Sequence, residues 1–283
     1  MKKILIMTDS GSDITIEDAK EYGIHLIPFT ITQGDKSYID KYELTPDILY
    51  SGMAEGKMPK TSQITFAQHY DEFIKFADEY SIIYIPISAK ASGSYQSAVL
   101  AMNNVKEEKT DADITVIENS GFSWMYGYIA IQASKMAQDG KSVDEIVDTI
   151  YNHLKTVTAI LVVDDLKYLQ MGGRISSTAK IIGDVLDIKP ILKITDGLVS
   201  SFDKVRGSKK VMGKMVSLID ENADTKTNDP VIIMHSNCLE KAEQYKDAII
   251  EKTAFDEVLI KDIGATIGAH TGPGTIGIIY HAK

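Results

Sequence analysis

The chain has 283 residues, 44% hydrophobic and 25% charged, which suffices for one large or two ordinary domains with a sizeable core and excludes a disordered chain. Thirty basic against forty acidic side chains leave a net charge of −10, a field that repels nucleic acid and anionic membrane surfaces. The one basic cluster, Lys204, Arg206, Lys209 and Lys210, is small, and the single cysteine, Cys238, has no partner for an intramolecular disulfide or a CxxC zinc site.

From the N-terminus, Met1-Lys2-Lys3 precedes an apolar run too short for a secretion signal, and no later stretch approaches the ~20 apolar residues of a membrane span. A cytoplasmic location is the expectation. Short Ile- and Val-rich runs then recur at Ile4–Met7, His25–Ile31, Ile82–Ile87, Ile114–Ile117, Ala159–Val163, Val231–Met234, Val258–Ile260 and Thr275–Tyr280. Runs of this length without polar alternation predict strands buried on both faces, the habit of parallel sheets. Helical spacing covers Phe66–Tyr80, with Ser62 and Thr65 as caps, and Ser142–Leu154, which opens on a Ser-Val-Asp-Glu capping box; Lys209–Asn222 and Leu239–Thr253 follow. Ile191–Ile194 and Leu198–Phe202 flank Thr195-Asp196-Gly197, a hairpin turn. The pattern predicts an α/β protein of two domains. Residues 1–158 form a parallel-sheet α/β domain and 159–283 an α+β domain, with the last strand a candidate to pack back on the first domain.

Ligands of open α/β sheets sit beyond the carboxyl ends of the strands. Hydroxyls and amides gather there: Thr8, Ser10 and Ser12, then Ser88, Ser92 and Ser94, then Asn119 and Ser120, with Gly11, Gly93 and Gly121 among them. Their convergence predicts a site for a small anionic group. GxSxG, GxGxxG and GxxxxGK[ST] are absent, which removes the warrant for an α/β-hydrolase and for the common nucleotide cradles. Asp164 and Asp165 are adjacent and point to opposite faces of a strand end, so they do not form a shared metal site, and no other metal set is visible. His69 and His153 fall in helical patterns and read as surface or core residues. His270, within Ile267-Gly268-Ala269-His270-Thr271-Gly272-Pro273-Gly274, reads instead as a functional imidazole presented by a tight turn.

Several segments resemble the motifs of the DegV family in order and spacing. They are Thr8-Asp9-Ser10 with Ser12-Asp13, Thr61-Ser62-Gln63, Ser92-Gly93-Ser94-Tyr95-Gln96-Ser97-Ala98, and Asp164-Asp165-Leu166-Lys167-Tyr168-Leu169 followed by Gly172-Gly173-Arg174-Ile175-Ser176. Lys189-Pro190-Ile191-Leu192 and Ile267 through Gly274 complete the set. The resemblance implies a two-domain carrier that buries one long-chain fatty acid, needs no cofactor or metal, and is not itself a catalyst. By the same resemblance the carboxylate is held by Thr61, Ser62, Ser92 and Gly93, with His270 nearby. Arg206 matches an arginine implicated in work with a separate fatty-acid kinase, which phosphorylates the bound acid for phospholipid synthesis. Beyond fatty acid and kinase the implied partners include no nucleic acid and at most transient membrane contact. The loop Glu118-Asn119-Ser120-Gly121-Phe122-Ser123-Trp124-Met125 departs from the family pattern, and Trp124 and Met125, if they face the tail, would shorten or bend its channel. Two further readings stand beside the carrier: an acyl hydrolase or transferase using Ser92 and His270, with Asp9 or Asp13 orienting the imidazole, and a binder of another hydrophobic anion with a regulatory role.

Overall fold

A computed structural model describes residues 2–175 and 188–283; motif residue Ser176 lies outside them. The first sheet contains β1 (Lys3–Asp9), β2 (His25–Ile27), β6 (Tyr80–Ile85) and β7 (Asp113–Val116), ordered β2-β1-β6-β7 and parallel throughout. Its strands are apolar on both faces because helices cover both. These include α1 (Ile16–Tyr22), α3 (Phe66–Phe76), α4 (Ser94–Glu108), α5 (Trp124–Gln138) and α6 (Val143–Thr156). Thr65 and Ser142 close full capping boxes on α3 and α6. Helix α3 ends at Phe76, because Tyr80 already belongs to β6.

The run His25–Ile31 divides at Pro28, which has no N–H to donate to a ladder. After it the chain enters a second, three-stranded antiparallel sheet of β3 (Thr30–Gln33), β4 (Lys36–Ile39) and β5 (Pro59–Ser62), ordered β4-β3-β5. Helix α2 (Pro46–Ala54) packs beside it. Sequence periodicity missed β4 and β5, whose residues are too polar to register as buried strands.

The third sheet is mostly antiparallel, in the order β10-β9-β8-β13-β11-β12. It takes β8 (Val157–Val162), β9 (Ile188–Thr195), β10 (Leu198–Arg206), β11 (Val231–His235), β12 (Val258–Asp262) and β13 (Ile276–His281). The predicted hairpin joins β9 to β10 through Asp196 and Gly197, both at positive φ (49° and 75°), as the two central residues of a type I′ turn require. The last strand does not return to the first sheet: β13 lies between β8 and β11, antiparallel to both. Strand alternation sorts this sheet's side chains to two cores. Ala159, Leu161, Ile232, Met234 and Ile279 join the large core shared with the first sheet, while Ile160, Ile233, Ile276 and Ile278 face α8 (Val211–Asn222) and α9 (Leu239–Lys252). The segment Ser208–Lys210 forms a 3-10 turn ahead of α8, so that helix begins later than its spacing predicts. Two short helices complete the fold: α7 (Lys167–Gly172), and α10 (Ala265–Thr271), whose Ala265 and Ala269 pack with Leu49, Tyr50 and Ile31 of the small-sheet layer.

Two helix glycines separate packing from propensity. A Cβ on Gly127 of α5 would sit 2.4 Å from the Ser12 carbonyl oxygen, whereas one on Gly213 of α8 would meet nothing within 4 Å. Gly127→Ala is therefore expected to destabilise the fold by about 1–3 kcal/mol through overpacking, despite alanine's better helix propensity. Gly213→Ala should stabilise it by about 0.5–1 kcal/mol. Urea unfolding of the two variants checks both signs, and equal effects would refute the packing argument.

Candidate functional site

The order β2-β1-β6-β7 places a topological switch between β1 and β6, where the loops beyond the strands part. A cavity opens there, between the first and third sheets, with about 740 Å³ of empty space including its mouth. Phe29, Ile87, Ala91 and Phe122 line it from the first sheet's side, and Leu161, Ile194, Val199 and Met234 from the third. Ile263 and Ile267 close it near α10. Its polar residues are Thr61 of β5, Gln63, Ser92, Ser123, Arg174, Thr266, His270, Thr271 and Thr275.

Thr61, Ser92 and His270 thus share one cavity although they come from β5, the approach to α4, and α10. His270 Nε2 is 2.8 Å from Thr61 Oγ1. The ring sits in a helix rather than a turn, and its surroundings are buried. Burial, and then the nearby Arg174 guanidinium, lowers its pKa to about 4, so at neutral pH it is an uncharged imidazole and not a standing cation. Its Nδ1 has no hydrogen-bond partner among the described residues. That atom lies against Gly172, where a Cβ would come within 2.2 Å of it. Gly173 then takes a left-handed φ of 69° to end α7 and turn the chain into Arg174. Arg174 is fixed by its own backbone bonds, Nε donating to the Ala91 carbonyl at 3.0 Å and a terminal nitrogen to the Gly172 carbonyl at 2.6 Å. The Gly-Gly-Arg motif therefore supplies close approach, turn and cation in succession. Its arginine, quoted from the sequence without a role, supplies the positive charge beside His270.

Ser92 Oγ pairs with Ser94 Oγ at 2.8 Å, not with His270, and lies just ahead of α4, whose N-terminus favours negative charge. Neither Asp9 nor Asp13 orients the imidazole. Asp9 accepts from Tyr126 Oη at 2.6 Å and from the Ile87 and Gly11 N–H groups, and Asp13 accepts from Ser123 Oγ. Burial raises both carboxyls to about 7 against those hydrogen bonds. Most of the predicted hydroxyls are consumed in the same way. Thr8 donates to the Ile85 carbonyl, Ser12 to that of Asp9 and Ser88 to that of Gly197; Ser10 accepts from the Phe29 N–H and Ser94 from that of Ile64. Asn119 closes its own loop against Pro86 and Gly121.

Other predicted positions fall outside the lining. Ser62 follows Thr61 on β5 and is exposed, as alternation along a strand requires. Gly93 leaves space that Gln63 fills, since a Cβ there would meet its Oε1 at 2.1 Å. Trp124 and Met125 are buried in the large core rather than along the cavity. The indole donates to the Asp262 carbonyl at 3.2 Å, with Lys261 Nζ 4.5 Å above its ring, and it is Phe122 and Ser123 that reach the cavity. Ser123, not singled out from the sequence, holds φ 54° and ψ −139°, a conformation sparsely populated by L-residues. Arg206 is exposed at the far end of β10, roughly 20 Å from Val199 at about 3.3 Å per residue, and so is not a neighbour of His270. Asp164 and Asp165 are engaged by separate lysines, Lys241 at 3.2 Å and Lys167 at 2.7 Å. Cys238 is half-buried, and burial pushes its thiol pKa up.

The arrangement is an apolar chamber with a hydroxyl, imidazole and guanidinium cluster at one part of its wall. The solved structure of DegV, a fatty acid binding protein from Bacillus subtilis, superposes with a TM-score of 0.86 at 29% identity, covering 100% of both chains. A stearic-acid-binding protein of Eubacterium ventriosum gives 0.87 at 25% identity, covering 99% of this chain and 98% of that one. A DegV domain-containing protein of Clostridium perfringens is 35% identical over 99% of this chain and 98% of its own length. The family model described as "Uncharacterised protein, DegV family" matches residues 3–283, and by that match, with the motifs and fold above, the chain belongs to the DegV family.

Proposed function

We propose that the protein binds one long-chain fatty acid in this cavity and presents its carboxylate to a separate fatty-acid kinase, without performing chemistry itself. The observation that carries the reading is the composition of the chamber: apolar side chains from two sheets, with Thr61, Ser92, His270 and Arg174 as its main head-group candidates. A buried carboxylate without partners costs several kcal/mol, so it needs donors there. Arg174 can donate directly, and with His270 Nε2–H donating to Thr61 Oγ1 the Thr61 hydroxyl hydrogen is available to a ligand oxygen. Each methylene buried contributes roughly 0.8 kcal/mol, so an acyl tail dominates affinity before the costs of ordering, and the head group is positioned more than it is gripped.

The hydrolase reading draws less support. Ser92 pairs with Ser94, His270 pairs with Thr61, and no carboxylate among the described residues bonds His270 Nδ1. Among the described residues, too, no helix is long and apolar enough to cross a membrane. The kinase step fits the cation already in place, since a phosphorylated head group gains negative charge beside Arg174. Arg206, remote from the cavity and exposed in the small basic cluster, suits a contact with the kinase rather than with the acid.

Native mass spectrometry of the purified protein, followed by lipid extraction, tests the proposal. One fatty acid per chain is expected; an empty protein that also refuses added fatty acids would overturn it. Arg206→Ala is expected to keep fatty-acid affinity within about twofold and to lower kinase-dependent acyl-phosphate formation at least about tenfold, in line with loss of a charge-assisted contact. Unchanged phosphorylation would remove Arg206 from that role.

Binding should also move a proton. In the empty protein His270 is neutral above about pH 4, and an incoming carboxylate favours its charged form, raising that pKa. Between the two values the complex holds more protons than its separated components, so affinity rises as pH falls through that window. Calorimetry at pH 5.5 in buffers of different ionisation enthalpy should show fractional proton uptake that is absent at pH 8 and absent in His270→Gln. Equal apparent enthalpies in all buffers would show that the imidazole does not sense the head group.

A further inference from the structure

A second cluster of chemistry-bearing side chains lies outside the cavity. His153, near the end of α6, Asp229, in the loop entering β11, and His281, the last residue of β13, converge at one end of the third sheet. None of the three lines the fatty-acid cavity. Asp229 Oδ2 is 3.4 Å from His153 Nδ1 and 2.8 Å from His281 Nε2, and the three atoms lie within 4.8 Å of one another. We propose that these three atoms form a binding site for one divalent transition-metal ion, of the class that takes imidazole and carboxylate ligands, such as zinc.

The argument rests on which ring nitrogens carry protons. His153 Nε2 is 3.1 Å from the Met125 carbonyl oxygen, an acceptor only, so that nitrogen bears the hydrogen and Nδ1 presents a lone pair. His281 Nδ1 is 2.7 Å from Thr156 Oγ1, whose own hydrogen is directed to the His153 carbonyl at 3.4 Å. With Thr156 accepting from Nδ1–H, the lone pair of His281 lies on Nε2, and this is the tautomer that the proposed site requires. A hydrogen bond from the far ring nitrogen of this kind fixes tautomer and ring orientation in histidine metal sites. Both inward-facing nitrogens are buried without an aligned hydrogen-bond partner among the described residues. Although Asp229 Oδ2 is close to His281 Nε2, it lies off the direction of a ring hydrogen bond, so proximity alone does not satisfy that atom.

The carboxylate is oriented as well, Tyr128 Oη donating to its other oxygen at 3.1 Å. Two lone pairs and a carboxylate oxygen facing one another repel unless a cation or a proton lies between them. Ligands on a tetrahedral ion with bonds of about 2.0–2.1 Å stand roughly 3.3 Å apart, close to the 3.4 Å between Asp229 and His153, while the 2.8 Å contact with His281 would lengthen to admit the ion. The His153 and His281 side chains are 6% and 10% exposed and that of Asp229 31%, which leaves the fourth position on the Asp229 side for water or an outside ligand. An ion here would fasten α6, the β11 loop and the end of β13 together.

Cobalt(II) titration of the chelator-treated protein near neutral pH tests the site. One equivalent should bind, giving visible absorption of four- or five-coordinate intensity that zinc abolishes by displacement. Asp229→Asn and His281→Gln should each weaken binding more than about 100-fold, beyond the loss typical of changes to groups that only support a ligand, while His25→Gln, a histidine paired with Glu72 and not part of the cluster, should not. Long-range ¹H–¹⁵N spectra of the wild-type protein supply a readout independent of whether the variants fold. The unprotonated His153 Nδ1 and His281 Nε2 signals should shift with one equivalent of zinc while both partner nitrogens keep their protons. Failure to bind one equivalent, binding that survives both substitutions, or a doubly protonated ring in the metal-free protein that zinc does not alter, would overturn the proposal in favour of a proton held between histidine and aspartate. Fatty-acid uptake does not enter any of these readouts, so the result stands apart from the carrier reading.

Discussion

The cavity depends on one hydrogen bond made across most of the chain. Thr61 and His270 are 209 residues apart, yet their side chains meet at 2.8 Å. The bond ties β5 of the small sheet to α10, which in turn packs on α2 and α7. Apolar packing sets how far the sheets stand apart, since Leu161 and Met234 approach from one side and Phe29 and Ile87 from the other. It cannot by itself place a polar group at a chosen spot on an apolar wall. A pair of residues that bond each other, at the edge where three layers meet, does so, although His270 Nδ1 keeps no partner among the described residues.

That division explains what was legible in the sequence. Both-face-buried strands announce themselves by unbroken Ile and Val runs, and the Asp196-Gly197 turn by its chemistry, because both signals are local. The small sheet did not, since β4 reads Lys-Ser-Tyr-Ile and β5 Pro-Lys-Thr-Ser, polar strands that pair only in the presence of β3. Thr61 and Ser92 were recognisable through family motifs, but their neighbours differed from the set expected. A strand puts Ser62 on the opposite face from Thr61, which spacing could have anticipated once β5 was recognised. Arg174 and Ser123 were hidden for another reason. Their roles come from a left-handed glycine at 173 and from Ser123's own unusual backbone, and neither conformation has a residue-type signature in a single sequence.

Hydroxyls past strand ends proved a signal with two meanings. Thr8, Ser10, Ser12, Ser88 and Ser94 all bond backbone groups, so they build the floor beneath the cavity instead of meeting a ligand. The same economy applies to charge. Asp9 and Asp13 are buried carboxyls raised to about 7, and between that value and the ordinary 3.8 the folded state holds protons that the unfolded chain has lost. Their contribution to stability therefore falls as pH rises across that interval. His69 and His270, lowered from 6.5 to about 4, act in the opposite sense, because there the unfolded chain is the one that binds protons. Two groups of each kind oppose one another over nearly the same range. Burying polar residues to shape the site need not make the fold strongly pH-dependent.

The electrostatics of the cavity wall follow from the same constraint. A permanently protonated histidine beside Arg174 would place two positive charges in a low-dielectric wall whenever the site is empty, and the pKa of about 4 avoids this. The guanidinium alone remains, held by the carbonyls of Ala91 and Gly172, which are dipoles and not counter-ions. Its guanidinium is thus bonded to the backbone while no carboxylate among the described residues pairs with its charge. In the carrier proposed above, an anionic head group would supply that neutralisation and a head group of greater charge more of it, so such a wall would distinguish ligands by charge after the apolar side chains had selected them by their tails.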